Sequence, residues 1–468
     1  MGEWAFQRCI HPDCAATFDI DAVLTACPKC GDLLDVAYDW DRLETPARLS
    51  WFEERWARRT RPLDFSGVWR FRELLAFART KTTEMPLVTV GEGQTLLYHN
   101  VRLGREIGLS GGQLHLQYEG FNPSGSFKDN GMAAAFTHAR MAGATRAACA
   151  STGNTSASMA LYAAALGMKA VIFIGSGKIA YGKLAQALDS GGLTLQIRGD
   201  FDDAMRLVQE ASTRLGLYLM NSVNPFRLEG QKTIMYRVLE ALGWEVPDWI
   251  VVPGGNLGNS SAFGKAFIEL AHLGLIDRLP RIAVINSTGA RTLSALVNDG
   301  GLSWNAGHVD EEAVSRYYGR LDRDGLRAHT LASAIEINRP VNLKKCLRAL
   351  EATDGVVREV PDEEIADMKA LVARSGPGCE PASAASVAGA RLLIDEGLIS
   401  SSDRVVCVIT GNVLKDPDLP VKYNSLPAAE LAGQLGLFTD RPPRWQNLPV
   451  EVEADLEEIV EVLEGDAP

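Results

Sequence analysis

The sequence predicts an open α/β fold with helices on both faces of its sheets, on three observations. Short apolar segments of strand length recur from about residue 86 onward, most are followed by amphipathic helical stretches, and the junctions between them are rich in glycine, serine and asparagine. The segments are GQLHLQYE (112–119), RAACAST (146–152), KAVIFIG (169–175), LTLQIRG (193–199), DWIVVPG (248–254), RIAVINS (281–287) and RVVCVITG (404–411). At 468 residues the chain exceeds what one hydrophobic core supports, so two or three units are expected, with no internal repeat.

Composition narrows the function. Hydrophobic residues at 46% and charged residues at 23% are ordinary for a globular protein. The net charge of -12 argues against nucleic acid or an anionic membrane as main partner. Eight uncompensated acids lie in 451–468, so the remainder carries only -4. No apolar run reaches the roughly 18 residues of a membrane span, and MGEWAFQRC has no leader-like pattern, so a cytoplasmic protein is expected.

Taken in order, the chain opens on Cys9-x4-Cys14 and Cys27-x2-Cys30-Gly31. A segment this short cannot build a core, and two thiolate pairs joined by a hairpin around 16–23 are what a tetrahedral zinc ribbon needs. Cys9, Cys14, Cys27 and Cys30 are the expected ligands. A ligand swap with His11, or a ribbon held by packing alone, stays open. Cys149, Cys346, Cys379 and Cys407 stand singly and suit buried free thiols. Trp40, Trp51, Trp56 and Trp69 are spaced to pack the ribbon against the body of the chain. Near the end, Val452, Leu456, Ile459, Val460 and Leu463 fall at helical spacing and predict an amphipathic helix docking on the body or a partner subunit; a frayed solubilising tail is the alternative.

Residues 118–132, YEGFNPSGSFKDNGM, form a turn that delivers Lys128 to the start of an alanine-rich helix, with Ser126 as its cap. A cation at the positive end of a helix is disfavoured, which gives Lys128 reason to lose its proton and attack a carbonyl. The ordinary alternative is a solvated surface lysine. After DWIVV comes Pro253-Gly254-Gly255-Asn256-Leu257-Gly258-Asn259, whose backbone amides converge at a helix start and suit a phosphate. Neither a dinucleotide nor a Walker spacing fits, and a ligand-free turn is the competing reading. Ser151-Thr152-Gly153-Asn154-Thr155-Ser156 offers a second anion-binding helix start, and Asn221-Ser222-Val223-Asn224-Pro225-Phe226-Arg227 a third, with Arg227 able to grip an oxyanion. An activated lysine, a phosphate cradle and two further anion loops together describe a pyridoxal-phosphate enzyme acting on an anionic amino acid.

NPSGSFKDN, STGNTSAS, GKIAYGKLAQAL, GDFDDAM, NSVNPFRLEGQKT, GGNLGN, CEPASAAS and TGNVLKDP stand in an order that resembles the threonine synthases over about 5–420. That family is fold-type II, tryptophan synthase β-like, with two open twisted α/β domains, and many members carry a similar cysteine ribbon. The resemblance implies a ribbon at 1–42, a large cofactor-binding domain at 43–125 and 228–420 and a smaller subdomain at 126–227; beyond the resemblance, the residues themselves read as an acidic extension at 421–468. It implies Lys128 as the Schiff-base lysine, Asn154 at the cofactor's phenolic oxygen, and Gly255, Asn256, Leu257, Gly258 and Asn259 around its phosphate. Thr410 would face the pyridine nitrogen, and a hydroxyl there means the nitrogen need not be protonated. Thr152 and Thr155 would hold the substrate carboxylate; Asn221, Ser222, Arg227 and Asn256 would hold its phosphate. The implied reaction converts O-phospho-L-homoserine and water to L-threonine and phosphate. Pyridoxal 5'-phosphate, structural zinc and a homodimer are expected, with no nucleic-acid or membrane partner.

Asn130 stands where the family usually has arginine, Leu96 where proline is common, GSGKIA (175–180) replaces a proline-containing loop, and INSTGA (285–290) departs from the usual sequence. The closest rivals are a cysteate synthase using O-phosphoserine and sulfite, or a serine/threonine dehydratase. Asn221, Ser222 and Arg227 favour a phosphorylated substrate over the dehydratase. A zinc-ribbon binding module on an inactive body is the rival from another class; the acidic balance and an intact Lys128 speak against it.

Overall fold

All seven apolar segments form strands. The computed structural model describes residues 4–78, 87–109, 113–175, 181–199 and 201–465. The loop expected to be unusual at GSGKIA, with the opening of GKIAYGKLAQAL, falls at 176–180, outside the described residues. Two compact units emerge, Met1–Asp416 and Pro417–Pro468.

The strands are β1 Ala5–Cys9, β2 Thr17–Asp19, β3 Leu34–Tyr38, β4 Leu96–His99, β5 Leu114–Tyr118, β6 Arg146–Ala150, β7 Lys169–Gly175, β8 Leu193–Ile197, β9 Tyr218–Leu219, β10 Trp249–Pro253, β11 Arg281–Ser287, β12 Val356–Val360 and β13 Val405–Ile409. One sheet runs β12-β11-β10-β13-β5-β4, parallel except where β4 meets β5; a second, all parallel, runs β8-β7-β6-β9. Position in the sheet explains the strand sequences. WIVVP and VVCVI lie centrally and are buried at every residue, as parallel strands covered on both faces must be. Edge strands β4 and β12 are short or carry charges, so LLYH and VVREV gave no apolar signal.

The helices that matter for function follow strand ends: α1 Lys128–Met141, α2 Asn154–Ala165, α3 Tyr181–Asp189, α4 Pro225–Ala241, α5 Gly258–His272, α6 Leu343–Ala352 and α7 Pro381–Asp395. Of these, α1, α2, α4 and α5 begin just beyond the carboxyl ends of β5, β6, β9 and β10, the edge where open α/β sheets bind ligands. Helices α1 and α4 touch through glycine: a Cβ at Gly230 would lie 1.9 Å from Asn130 O, and one at Gly131 would lie 3.0 Å from Arg227 O.

The ribbon is the antiparallel sheet β2-β1-β3, and it grips the same helices. His138 of α1 donates through Nε2 to Ile20 O (2.8 Å), and Tyr38 donates to Glu229 of α4 (2.6 Å). Lys265 of α5 donates to Val36 O, and Lys345 of α6 donates to Leu34 O (2.7 Å). Arg348 and Lys345 pair with Asp35 at 2.6 and 3.0 Å, holding its carboxyl far below the usual range against burial. The carbonyl partner fixes the His138 tautomer, so Nδ1 accepts from Tyr218 (2.6 Å); burial keeps the ring neutral, with a pKa of about 4.

Of the four tryptophans, Trp69 is buried and donates to Val88 O (2.7 Å), and Trp40 tilts against Tyr38 with centroids 4.7 Å apart. Trp51 and Trp56 depart from expectation: both are exposed, under the guanidinium groups of Arg55 (4.5 Å) and Arg70 (4.8 Å). Cation stacking, not ribbon packing, holds them. The four single cysteines are buried free thiols, as expected.

The 417–468 unit has its own small core, with Tyr423 and Phe438 edge-on at 5.8 Å and Gln446 donating to Tyr423 O (2.7 Å). Its last helix, α8 (Leu456–Gly465), forms where the spacing predicted it. Leu456 and Leu463 on its apolar face are 69% and 68% exposed.

Candidate active site

The lysine turn is fastened to the end of β13. Gly125 N–H closes the turn onto Asn122 O (2.7 Å), Phe127 N–H donates to Thr410 O (2.9 Å), and Asn412 N–H donates to Gly125 O (2.9 Å). These bonds bring Lys128 and Thr410, 282 positions apart in sequence, close together beyond the end of β13. Helix α1 starts at Lys128 with Phe127 in the cap position; Ser126 Oγ is 3.5 Å from Lys128 N, because Ser126 is drawn into a bridge with Gly411. Ser126 is therefore a weak cap at best.

Lys128 keeps some exposed surface, yet burial pushes its pKa down to about 7. The Arg227 guanidinium lowers it further and Glu380 opposes. Desolvation, with help from a neighbouring cation, thus does what the sequence assigned to the helix end. Lys128 Nζ rests 4.2 Å from the Phe127 ring centroid. Behind it, Asp129 accepts from Ser124 N–H (2.7 Å), Ser124 Oγ (2.5 Å) and Ser158 Oγ, and burial raises its carboxyl to about 6. Asn130, the residue that departs from the family, donates to buried Glu119 (2.7 Å), as do Asn122 (2.8 Å), Gln117 (2.8 Å) and Arg237 (2.7 Å). A guanidinium reaches that carboxylate from α4, while Asn130 Oδ1 itself is buried without a hydrogen-bond partner.

The glycine loop has features that suit an anion. Leu257 takes a left-handed conformation (φ 62°) immediately before α5, which turns successive amides inward. Gly254 N–H bonds Ile285 O (2.7 Å) and Ser261 N–H bonds Leu257 O (3.1 Å); among the described residues, the amides between them have no carbonyl partner. Asn286 of the unusual INSTGA stretch supports the loop, donating to Gly254 O (2.7 Å). Asn342 ties loops together: its Nδ2 donates to Ser222 O (3.1 Å) and Asn256 O (3.3 Å), and its N–H to Asn256 O (3.2 Å).

Arg227 is 1% exposed, yet only Nη1 has a partner, Met220 O at 2.8 Å. Its Nε and Nη2 are buried without a hydrogen bond. Burial pulls this guanidinium down to about 10. Two buried guanidinium donors without a partner, near Lys128, are chemically suited to an anion. Asn221, expected at the same anion, spends its amide on Ala150, accepting from N–H and donating to O at 3.0 Å each. It fastens its loop to β6. Thr155 lies in the first turn of α2 and Thr152 is exposed just before it.

Glu380, absent from the expected set, connects two expected residues. Its Oε2 accepts from Asn154 Nδ2 (2.8 Å) and its Oε1 from Thr410 Oγ1 (2.8 Å). Lys415 was also missed: burial lowers its pKa while Glu380 and Asp129 oppose, and its Nζ donates to Gln186 on α3. Only tertiary structure joins these residues; the sequence signal was their place in CEPASAAS and TGNVLKDP.

In the ribbon, the Sγ atoms of Cys9, Cys14, Cys27 and Cys30 all lie within 4.8 Å of one another, with Cys9–Cys30 at 3.4 Å and Cys14–Cys27 at 3.8 Å. Tetrahedral zinc at about 2.3 Å from each sulfur places sulfurs roughly 3.8 Å apart, so the four thiols fit the metal. His11 is not part of the cluster. Among the described residues, no helix is long and apolar enough to cross a membrane.

The features fit pyridoxal phosphate: a lysine of lowered basicity, an amide nest for a phosphate, and a buried arginine for a second anion. Known proteins agree. A family model described as "Pyridoxal-phosphate dependent enzyme" matches residues 88–411. The threonine synthase of Methanocaldococcus jannaschii is 39% identical over 422 residues, 90% of this chain and 95% of that one. That of Methanosarcina acetivorans is 40% identical over 411 residues, 88% and 92% of the two chains. Among solved structures, threonine synthase from Escherichia coli superposes with a TM-score of 0.59 at 18% identity, covering 99% of this chain and 100% of that one, which supports the fold. With its lysine turn, amide nest and cysteine ribbon in place, the chain belongs to the threonine synthase family of pyridoxal-phosphate-dependent enzymes.

Proposed function

We propose that the protein converts O-phospho-L-homoserine and water to L-threonine and phosphate. The observation that carries the substrate class is Arg227, buried beside Lys128 with two donors unpaired. A phosphorylated substrate satisfies both donors, whereas an unphosphorylated hydroxyamino acid leaves them bare.

Lys128 would hold the cofactor covalently, the amides of Gly255 to Asn259 its phosphate, Asn154 its phenolic oxygen and Thr410 its ring nitrogen. Bound pyridoxal phosphate supplies the electron sink that acidifies the substrate's α and β carbons. Lys128 Nζ is the base: near neutral pH a substantial fraction of the amine is unprotonated, able to take protons from carbon and return one at Cγ. Arg227 and Ser222 stabilise charge on the departing γ-phosphate. Thr152 and Thr155 orient the α-carboxylate from the start of α2. Asn221 acts through Ala150, holding the Arg227 loop in register.

In this reading residues 126–227 form a smaller subdomain that closes on substrate against the larger domain of 43–125 and 228–420, excluding water until hydration at Cβ. The enzyme works in the cytoplasm as a homodimer and binds no nucleic acid, in keeping with its acidic balance. The test is phosphate release and amino-acid analysis with O-phosphohomoserine against O-phosphoserine plus sulfite. Threonine from the first and no cysteate from the second is the expected result; the reverse overturns the assignment.

A further inference from the structure

The two tryptophans that do not pack the ribbon stand on a surface of mixed aromatic and basic character. Short helices at Glu53–Ala57 and Pro62–Phe65 leave Trp51, Trp56 and Phe65 exposed. Arg48, Arg58, Arg59 and Arg61 are exposed around them, and Arg59 lies 5.9 Å from the Trp56 ring centroid. The acids of the segment are already engaged. Glu53 accepts from Trp244 Nε1 (2.7 Å), buried Asp64 pairs with Arg72 (2.8 Å), and Glu54 reaches Arg58 only at 4.0 Å, with both side chains exposed. Arg48, Arg59 and Arg61 form no ion pair among the described residues. The face therefore offers indole and phenyl surface with four exposed guanidinium groups and little charge to balance them.

Helix α8 has the opposite charge and an apolar stripe to match. Leu456, Ile459, Val460 and Leu463 are exposed at helical spacing, within a segment, 451–468, that holds eight acids and no base. Acids suit the first turn of a helix, but Glu461 and Glu464 lie toward its negative end, where no basic residue stands. Glu457 and Glu461 also repel each other at i,i+4 spacing. So short a helix draws little stability from its own chain and gains most from an apolar partner bearing positive charge. We propose that α8 docks on the Trp51–Trp56–Phe65 face of a second copy of this chain, its apolar stripe on the aromatic rings and its glutamates among Arg48, Arg58, Arg59 and Arg61. Every copy carries both halves, so two chains exchange helices and the contact closes on itself as a dimer. Charge complementarity selects this occupant over another α8 helix, which would set acid against acid. The inference rests on the proposed homodimer and gives it a contact.

The test is sedimentation velocity of the full chain and of charge-reversed variants, with circular dichroism to confirm folding. Arg58→Glu, Arg59→Glu and Arg61→Glu together, or Glu457→Lys, Glu458→Lys and Glu461→Lys together, are each expected to weaken the dimer by about 10-fold or more, because like charges then meet across the contact. Mixing the two variants is expected to give a heterodimer as tight as wild type, since both exchanged contacts regain opposite charges. Both sets of changes within one chain are expected to restore the self-dimer, and added salt to loosen the wild type. A dimer that neither set weakens overturns the inference and leaves the homodimer standing; docking of α8 on its own chain or on another protein gives that result. Variants that weaken the dimer but do not recover on mixing overturn it as well, because the two sets of charges then do not meet. A monomeric wild type defeats the homodimer and the inference together.

Discussion

Replacing Arg227 by methionine separates a functional arginine from a structural one. Keeping the guanidinium charged while buried costs on the order of 3 kcal/mol, from a pKa drawn down to about 10. In return the apo protein gains one bond, to Met220 O, of about 1 kcal/mol net. Arg227→Met keeps the apolar volume and removes the charge, so thermal unfolding of the apoenzyme should occur at the same temperature or higher, a gain of about 1–2 kcal/mol. Catalysis should move the other way. Nε and Nη2 are free for the substrate, and charge-assisted bonds are each worth about 1.5–3 kcal/mol. Losing both takes about 3–6 kcal/mol from transition-state stabilisation, roughly 10²- to 10⁴-fold in kcat/KM. The assay is continuous phosphate release beside calorimetry of the same preparations. A loss under about 3-fold in kcat/KM, or a variant markedly less stable than wild type, would refute the assignment.

Lys128→Ala should yield protein that folds but forms no covalent cofactor band. In the apoenzyme, the rate of covalent cofactor capture should rise through a midpoint at about pH 7, because a lowered lysine pKa leaves the reactive neutral amine populated above it; stopped-flow absorbance shows whether the midpoint lies instead near 10. Cys27→Ser should release one zinc per chain, and because the ribbon binds α1, α4, α5 and α6, thermal stability should drop by several kcal/mol and cofactor retention with it. Gly230→Ala forces a methyl to 1.9 Å from Asn130 O, a backbone atom, and should cost about 3 kcal/mol or more, read by urea unfolding.

Much of this was legible in the sequence because it rests on local chemistry. Lys128 is announced by the turn before it, the phosphate nest by glycines at a strand end, and the ribbon by cysteine spacing. The central strands β10 and β13 are apolar throughout because both faces are covered. What stayed hidden depends on distance. Glu380 meets Asn154 across 226 positions and Asn342 meets Ser222 across 120, and no local pattern encodes either pairing. The lowered basicity of Lys128 was foreseen, but its main cause, desolvation, exists only in the folded protein. Asn221 was recognised as part of the loop while its attachment to Ala150 was not, since an amide that anchors backbone reads the same in sequence as one that binds ligand.

The central claim is that the γ carbon–oxygen bond of O-phospho-L-homoserine breaks and water then adds at Cβ. Turnover in H₂¹⁸O, with mass analysis of both products, tests it directly. The account predicts threonine carrying one ¹⁸O in its hydroxyl and inorganic phosphate free of label, because the bridging oxygen leaves with phosphorus. Homoserine together with ¹⁸O-labelled phosphate would mean that water attacks phosphorus, and would contradict it.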